Sequence, residues 1–216
     1  MLIDSCASGG RRNDLETMRR AVPLWRSDHP YVPESQQSMT IGISLWLPYH
    51  GTATVACSNA GYYGSGWTPV EPYMFWANTA PSLGLPVDIR ERKLDYDALR
   101  HLVAQWRQVS KYYYGDFYPL MSCNLLKDSW AAWQFDCPEI GEGFIQIFRR
   151  NESPYESARL RLRGLEAQAT YTLTDLDTQK SKQIPGSALL ERGLEIALKA
   201  QPGYAVMVYQ KSSSQP

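Results

Sequence analysis

After Gly115 the apolar residues change their period, and that change limits the architectures open to the chain. Ile145 and Ile147, flanked by Phe144 and Phe148, then Leu160 and Leu162, Tyr171 and Leu173, Leu194, Ile196 and Leu198, and Ala205, Met207 and Tyr209 alternate with partners at period two. Period two places alternate side chains on one face of a strand. Turn chemistry punctuates the run at Asn151 to Pro154, at Pro185-Gly186 and at Pro202-Gly203, where proline and glycine supply backbone angles a strand interior does not use. The expectation is an antiparallel β-sandwich over residues 123–216.

Residues 1–122 follow another rule. Between Asp95 and Tyr113, Leu99, Leu102, Val103, Trp106, Val109 and Tyr113 recur three and four apart, the spacing of one helix face. Glu34 to Leu47 offers a second helix with Met39, Ile43, Trp46 and Leu47 on one side. Tyr73 to Ala77 and Leu83 to Ile89 are short apolar runs consistent with buried strands. Near the start, Asn13 and Glu16 have capping-box spacing for a short helix burying Leu15, Met18 and Val22. Pro23 stops it, and Leu24-Trp25 begins a strand ending at Arg26, Ser27 and Asp28. Strands alternating with helices predict parallel α/β structure. In such sheets ligands meet the carboxyl ends of the strands, so Cys6, Gly9 and Asp28 are expected on one face. Residues 51–72, rich in Gly, Thr, Ser, Asn and Tyr, carry no regular pattern.

Composition excludes several classes of function. In 216 residues, 22 basic side chains balance 22 acidic ones, which gives neither nucleic acid nor an anionic membrane a charged surface to bind. No apolar stretch reaches the roughly 20 residues a spanning helix needs. Cys6, Cys57, Cys123 and Cys137 are too dispersed for a zinc site or a disulfide framework. With no basic, apolar leader pattern at the amino terminus, a reduced cytoplasmic setting is expected. The 7 Trp and 14 Tyr suit sugar platforms, but packing accounts for any single one as well.

Residue types alone leave the chemistry open. Cys6 lacks the neighbouring base that a thiol nucleophile needs. Gly9-Gly10 lacks the Gly-x-x-x-x-Gly-Lys frame of a phosphate loop, and Gly9 suits close approach of backbone to a hydroxyl. Asp28 by residue type alone reads as a loop cap before it reads as an acid. Asp116 and Asp136 are expected to be structural.

The run CASGGRRNDLETMRRAVPLWRSD, with Cys6, Gly9 and Arg12 in a CxxGxxR pattern, resembles glycoside hydrolase family 36, the retaining α-galactosidases and their relatives. The stretches Ser44 to Gly51, Tyr112 to Leu120, Trp130 to Arg150 and Leu162 to Asp177 extend the likeness over nearly the whole chain. The resemblance implies the second half of a (β/α)8 catalytic barrel over residues 1–122, followed by the β-domain. It implies hydrolysis of terminal α-galactosyl residues with no cofactor, Asp28 as general acid/base, and Cys6 and Gly9 as sugar contacts near the 2-hydroxyl. Arg12 ends the pattern and suits an ion pair as well as a substrate. The family's nucleophile, an Asp in a Lys-x-Asp motif upstream of the CxxGxxR loop, has no counterpart in these residues. The chain alone is therefore expected to be inactive, with an N-terminal half or a further copy of itself as partner. Two alternatives stand beside this: a non-catalytic, sugar-binding subunit of a split enzyme, and a galactosyltransferase of the raffinose-synthase type.

Overall fold

Among the described residues, every strand in the first half of the chain is followed by a helix, and every one pairs in parallel. The computed structural model describes residues 3, 5–6, 14–21, 24–28, 30–54, 70–85 and 92–212. They fall into two compact units, Met1–Gln108 and Val109–Pro216. In the first, β1 (Ser5–Cys6), α1 (Leu15–Met18), β2 (Leu24–Trp25), α2 (Pro33–Ser44), β3 (His50–Ala53), α3 (Pro72–Ala77), β4 (Ser82–Gly84) and α4 (Tyr96–Val109) follow one another. The strands lie in sequential order β1-β2-β3-β4, with Ser5 level with Leu24, Leu24 with His50, and Gly51 with Ser82.

Several local expectations change. The α1 cap is Asp14, which accepts from the Thr17 amide at 2.9 Å; Asn13 lies outside the described residues. Leu15 is exposed, because a helix of four residues has too little length to bury a stripe, and Glu16 instead pairs with Arg19 and Arg20. Tyr73 to Ala77 is a helix and not a strand. All five residues are buried, so no period distinguished the two, and Pro72 at its first turn supplies the backbone angle that starts it. The long helix ends at Val109 and tightens into a 3-10 turn over Ser110–Tyr114. Its start is capped by Asp95, which accepts from the Ala98 amide at 2.9 Å, and Leu94 and Leu99 bury together beside Val70 and Tyr96.

The second unit is antiparallel. β5 (Asp116–Pro119), β6 (Trp130–Cys137), β7 (Glu142–Arg149), β9 (Thr170–Asp175), β10 (Ser181–Pro185) and β12 (Gly203–Lys211) form a six-stranded sheet in the order β10-β9-β12-β7-β6-β5. β8 (Ser157–Leu160) and β11 (Leu194–Ala197), with α5 (Gly186–Glu191) between β10 and β11, make a two-stranded sheet. Leu160, Leu194 and Ile196 from the small sheet join Ala132, Ile145, Ile147, Leu173 and Met207 from the large one in a single core. The unit begins before residue 123 because Asp116–Pro119 pairs with Trp133–Asp136 of β6.

Candidate active site

Cys6 ends β1 and stands level with Trp25, which ends β2. Asp28 follows Trp25 by three residues and is half-buried, whereas Cys6 is exposed with a free thiol. The carboxyl ends of two adjacent parallel strands thus carry both residues. Gly9 and Arg12 lie outside the described residues.

The segment around Asp28 is tied down on both sides. Arg26, 1% exposed, donates from Nη1 to Thr40 Oγ1 at 2.7 Å and to His50 Nδ1 at 3.2 Å. A guanidinium has only donors, so Nδ1 accepts and the imidazole proton sits on Nε2, which donates to Ser44 Oγ at 3.0 Å. Burial, and then the positive charge of Arg26, hold the His50 pKa well below its ordinary value, which keeps the ring neutral and this tautomer fixed. Next in the chain, Ser27 Oγ accepts from Gln36 Nε2 at 3.0 Å. Past Asp28, the Pro30 carbonyl accepts from Asn78 Nδ2 at 3.0 Å. Gln37 Nε2 donates to the Tyr73 hydroxyl at 3.0 Å and joins α2 to α3.

Sequence reasoning missed this layer. It expected α2 to bury Met39, Ile43, Trp46 and Leu47, but the buried positions are Glu34, Gln36, Gln37, Thr40 and Ile41, and Trp46 is 52% exposed. The available signal was the polar set Gln36, Gln37, Thr40 and Ser44, spaced for one helical face and following a strand that ends in Arg-Ser-Asp.

Elsewhere the chemistry is thinner. A groove of about 270 Å³ along α4, lined by Leu85, Leu99, Val103 and Ala104, has arginines but no acid. Among the described residues no cluster of His, Cys, Asp and Glu has the make-up of a metal site, and no helix is long and apolar enough to cross a membrane. Asp136, in the second unit, is buried and accepts from the Tyr209 hydroxyl at 2.5 Å. That hydroxyl in turn accepts from Gln134 Nε2 at 2.8 Å. Gln134 also spans the backbone of Arg163, donating to its carbonyl and accepting from its amide. Asp136 is a member of a structural network.

Residues 130–213 match the glycosyl hydrolase family 36 C-terminal domain. The chain is 27% identical to the probable alpha-galactosidase C of Aspergillus terreus, over 98% of its own length and 27% of that protein. Its fold is similar to that of a doubly substituted variant of the family 36 α-galactosidase AgaA of Geobacillus stearothermophilus in complex with raffinose, with a TM-score of 0.79 at 20% identity, covering 98% of this chain and 29% of that one. A family 97 glycoside hydrolase from Pseudoalteromonas sp. strain K8, in complex with acarbose, shares the fold more loosely, at a TM-score of 0.55 and 9% identity over 98% of this chain and 35% of that one. The chain thus spans under a third of the curated relative and of AgaA. In sequence over nearly its full length, and most specifically in residues 130–213, this chain resembles the carboxyl-terminal portion of the glycoside hydrolase family 36 α-galactosidases.

Proposed function

We propose that this chain carries the general acid/base of a retaining α-galactosidase, with β1 to β4 as the second half of a (β/α)8 barrel. The observation that supports the reading most is that Cys6 and Asp28 lie at the carboxyl ends of neighbouring parallel strands, where barrel enzymes hold their substrates. Asp28, protonated, gives its proton to the glycosidic oxygen as the bond to the anomeric carbon breaks. A second carboxylate, about 5 Å away across that carbon, forms the glycosyl-enzyme ester. Asp28, now ionised, takes a proton from water as the water oxygen attacks the anomeric carbon and the ester carboxylate leaves. Cys6 and Gly9 contact the sugar. The second carboxylate comes from residues outside these 216. Doubly substituted variants of AgaA have been crystallised in complex with raffinose and with stachyose, and oligosaccharides ending in an α-galactosyl unit are the substrates proposed here. No cofactor enters these steps.

The test joins the 216 residues to the part of AgaA that the match does not cover. The hybrid is expected to release nitrophenol from nitrophenyl α-galactoside, and the 216 residues alone are not. D28A should slow raffinose hydrolysis by about 10² to 10⁴-fold, the usual share of an acid/base. Azide, which needs no deprotonation, should restore turnover of the nitrophenyl substrate and give galactosyl azide. A folded hybrid without activity, or one indifferent to D28A, sinks the reading.

A further inference from the structure

Trp25 occupies an unusual place on the sheet face that carries Cys6. Cys6 is level with Trp25, Trp25 with Gly51, Gly51 with Ser82, and Ala53 with Gly84. Side chains alternate along a strand, so these six residues share one face, and His50 and Thr52 share the other with α2. A Cβ added at Gly84 would stand 2.7 Å from Trp25 Cη2 and 3.0 Å from Cζ3. The indole therefore crosses β3 completely and rests its far edge on β4. The residue level with Trp25 across β3 is Ser82, and Gly84 lies two further along. The ring consequently slants toward the carboxyl ends of the strands, the side on which Asp28 follows Trp25 by three residues. Trp25 is only half-buried.

We propose that Trp25 is a specificity-determining wall of the sugar site, laid across β3 because Gly84 has no side chain, and that it receives the C–H face of the terminal galactosyl unit. The inference rests on the function proposed above. An indole face is electron-rich and pyranose C–H groups are electron-poor, so the two attract. The axial 4-hydroxyl of galactose leaves the hydrogens of C3, C4 and C5 on one face. The 4-epimer, glucose, breaks up that patch, so a ring in this place favours galactose.

The hybrid enzyme tests this with two substitutions that reach the ring from opposite ends. W25A should raise KM for nitrophenyl α-galactoside about tenfold, the scale of one lost aromatic contact, while kcat stays within about threefold. W25F should fall between W25A and the parent. G84A, whose new methyl displaces the indole, should raise KM in the same direction, and by less when combined with W25F, whose ring does not reach as far. W25A also removes packing across β3 and β4, so the comparison of W25F with G84A decides if W25A does not fold. An active hybrid whose KM is unmoved by W25F and G84A overturns the role of Trp25 and leaves Asp28 untouched. So does a fall in kcat at constant KM, which would mark a ring that only supports Asp28. A folded parent hybrid with no activity overturns the galactosidase reading and this inference with it.

Discussion

In the first unit the strands run two to four residues and the layer packed behind β2 and β3 is polar. In the second they run to nine residues around an aliphatic and aromatic core. Burial of apolar area stabilises in proportion to area and tolerates imprecision. A buried polar layer gives little net free energy but costs heavily when a partner is lost, so it specifies position more than it stabilises. The short strands bear the candidate chemistry, and there position matters most.

The largest effect should come from the second unit. Phe144 is fully buried, stacked on Phe135 with centroids 5.4 Å apart and edge-on to Tyr113 at 5.1 Å. F144A should cost about 3 to 5 kcal/mol, read by urea unfolding. If the two units draw on separate sources of stability, amide exchange in His50–Ala53 will change far less than exchange in β7. Equal changes would break the contrast.

Acid should sharpen it, because the units respond with opposite sign. His50 has a lowered pKa in the folded protein, so its contribution is present above the unfolded value near 6.5 and is lost as pH falls toward the folded one. Asp136 has a raised pKa, through burial first and then the charges of Asp116 and Glu139, with the Tyr209 hydrogen bond opposing. Its contribution is full below the unfolded value near 3.8 and is lost as pH rises through the folded one. Protection factors of the β3 amides, taken against the intrinsic exchange rate at each pH, should therefore fall between pH 7.5 and pH 5 in the parent and not in H50Q. The stability of D136N relative to the parent should increase as pH rises from about 3.8. An H50Q protein that keeps the full acid response would remove His50 from the account.

The smallest effect is expected at the rim of the second sheet. Lys111 Nζ donates to Glu142 at 2.7 Å, with the lysine side chain 58% exposed, and Tyr112 and Gln210 donate to the same carboxylate. Solvent screening limits what the ion pair contributes, and K111A should cost about 0.5 kcal/mol at low salt. The loss should vanish in 1 M salt; a loss that persists would assign the lysine a packing role against the Tyr112 ring, 4.7 Å from its nitrogen.

The same contrast explains what the sequence disclosed. Period two in β9 and β11 was readable because buried residues alternate there with exposed or half-buried ones; β7 is buried on both faces, and Ile145 and Ile147 stand between Phe144, Gln146 and Phe148. α4 was readable for the same reason: Leu99 and Leu102 are buried and Arg100 and Arg107 are not. α2 misled because its buried side is Gln36, Gln37 and Thr40, which hydrogen-bond to Ser27, Tyr73 and Arg26. α3 misled because a segment buried all round has no period to read. The acid role proposed for Asp28 rests on the motif around it; nothing in its own residue type separates an acid from a cap. Trp25 was legible as a strand residue and not as a crossing of β3, since that depends on a glycine nearly sixty positions away in the chain.

The strand at Gly203–Lys211 pairs with Glu142–Arg149 on one side and Thr170–Asp175 on the other, which gives the latest of the described strands the middle place in its sheet. During synthesis, β10-β9 and β7-β6-β5 must wait as two separate ribbons, each presenting a bare row of amides and carbonyls to whatever else is nearby. Tyr209 closes the seam, its hydroxyl meeting Gln134 and Asp136 of β6 beyond the intervening β7. Newly made copies that stall before residue 203 would carry two sticky borders in place of one finished sheet, and crowding of such copies on a single messenger would favour joining between neighbours over completion within each.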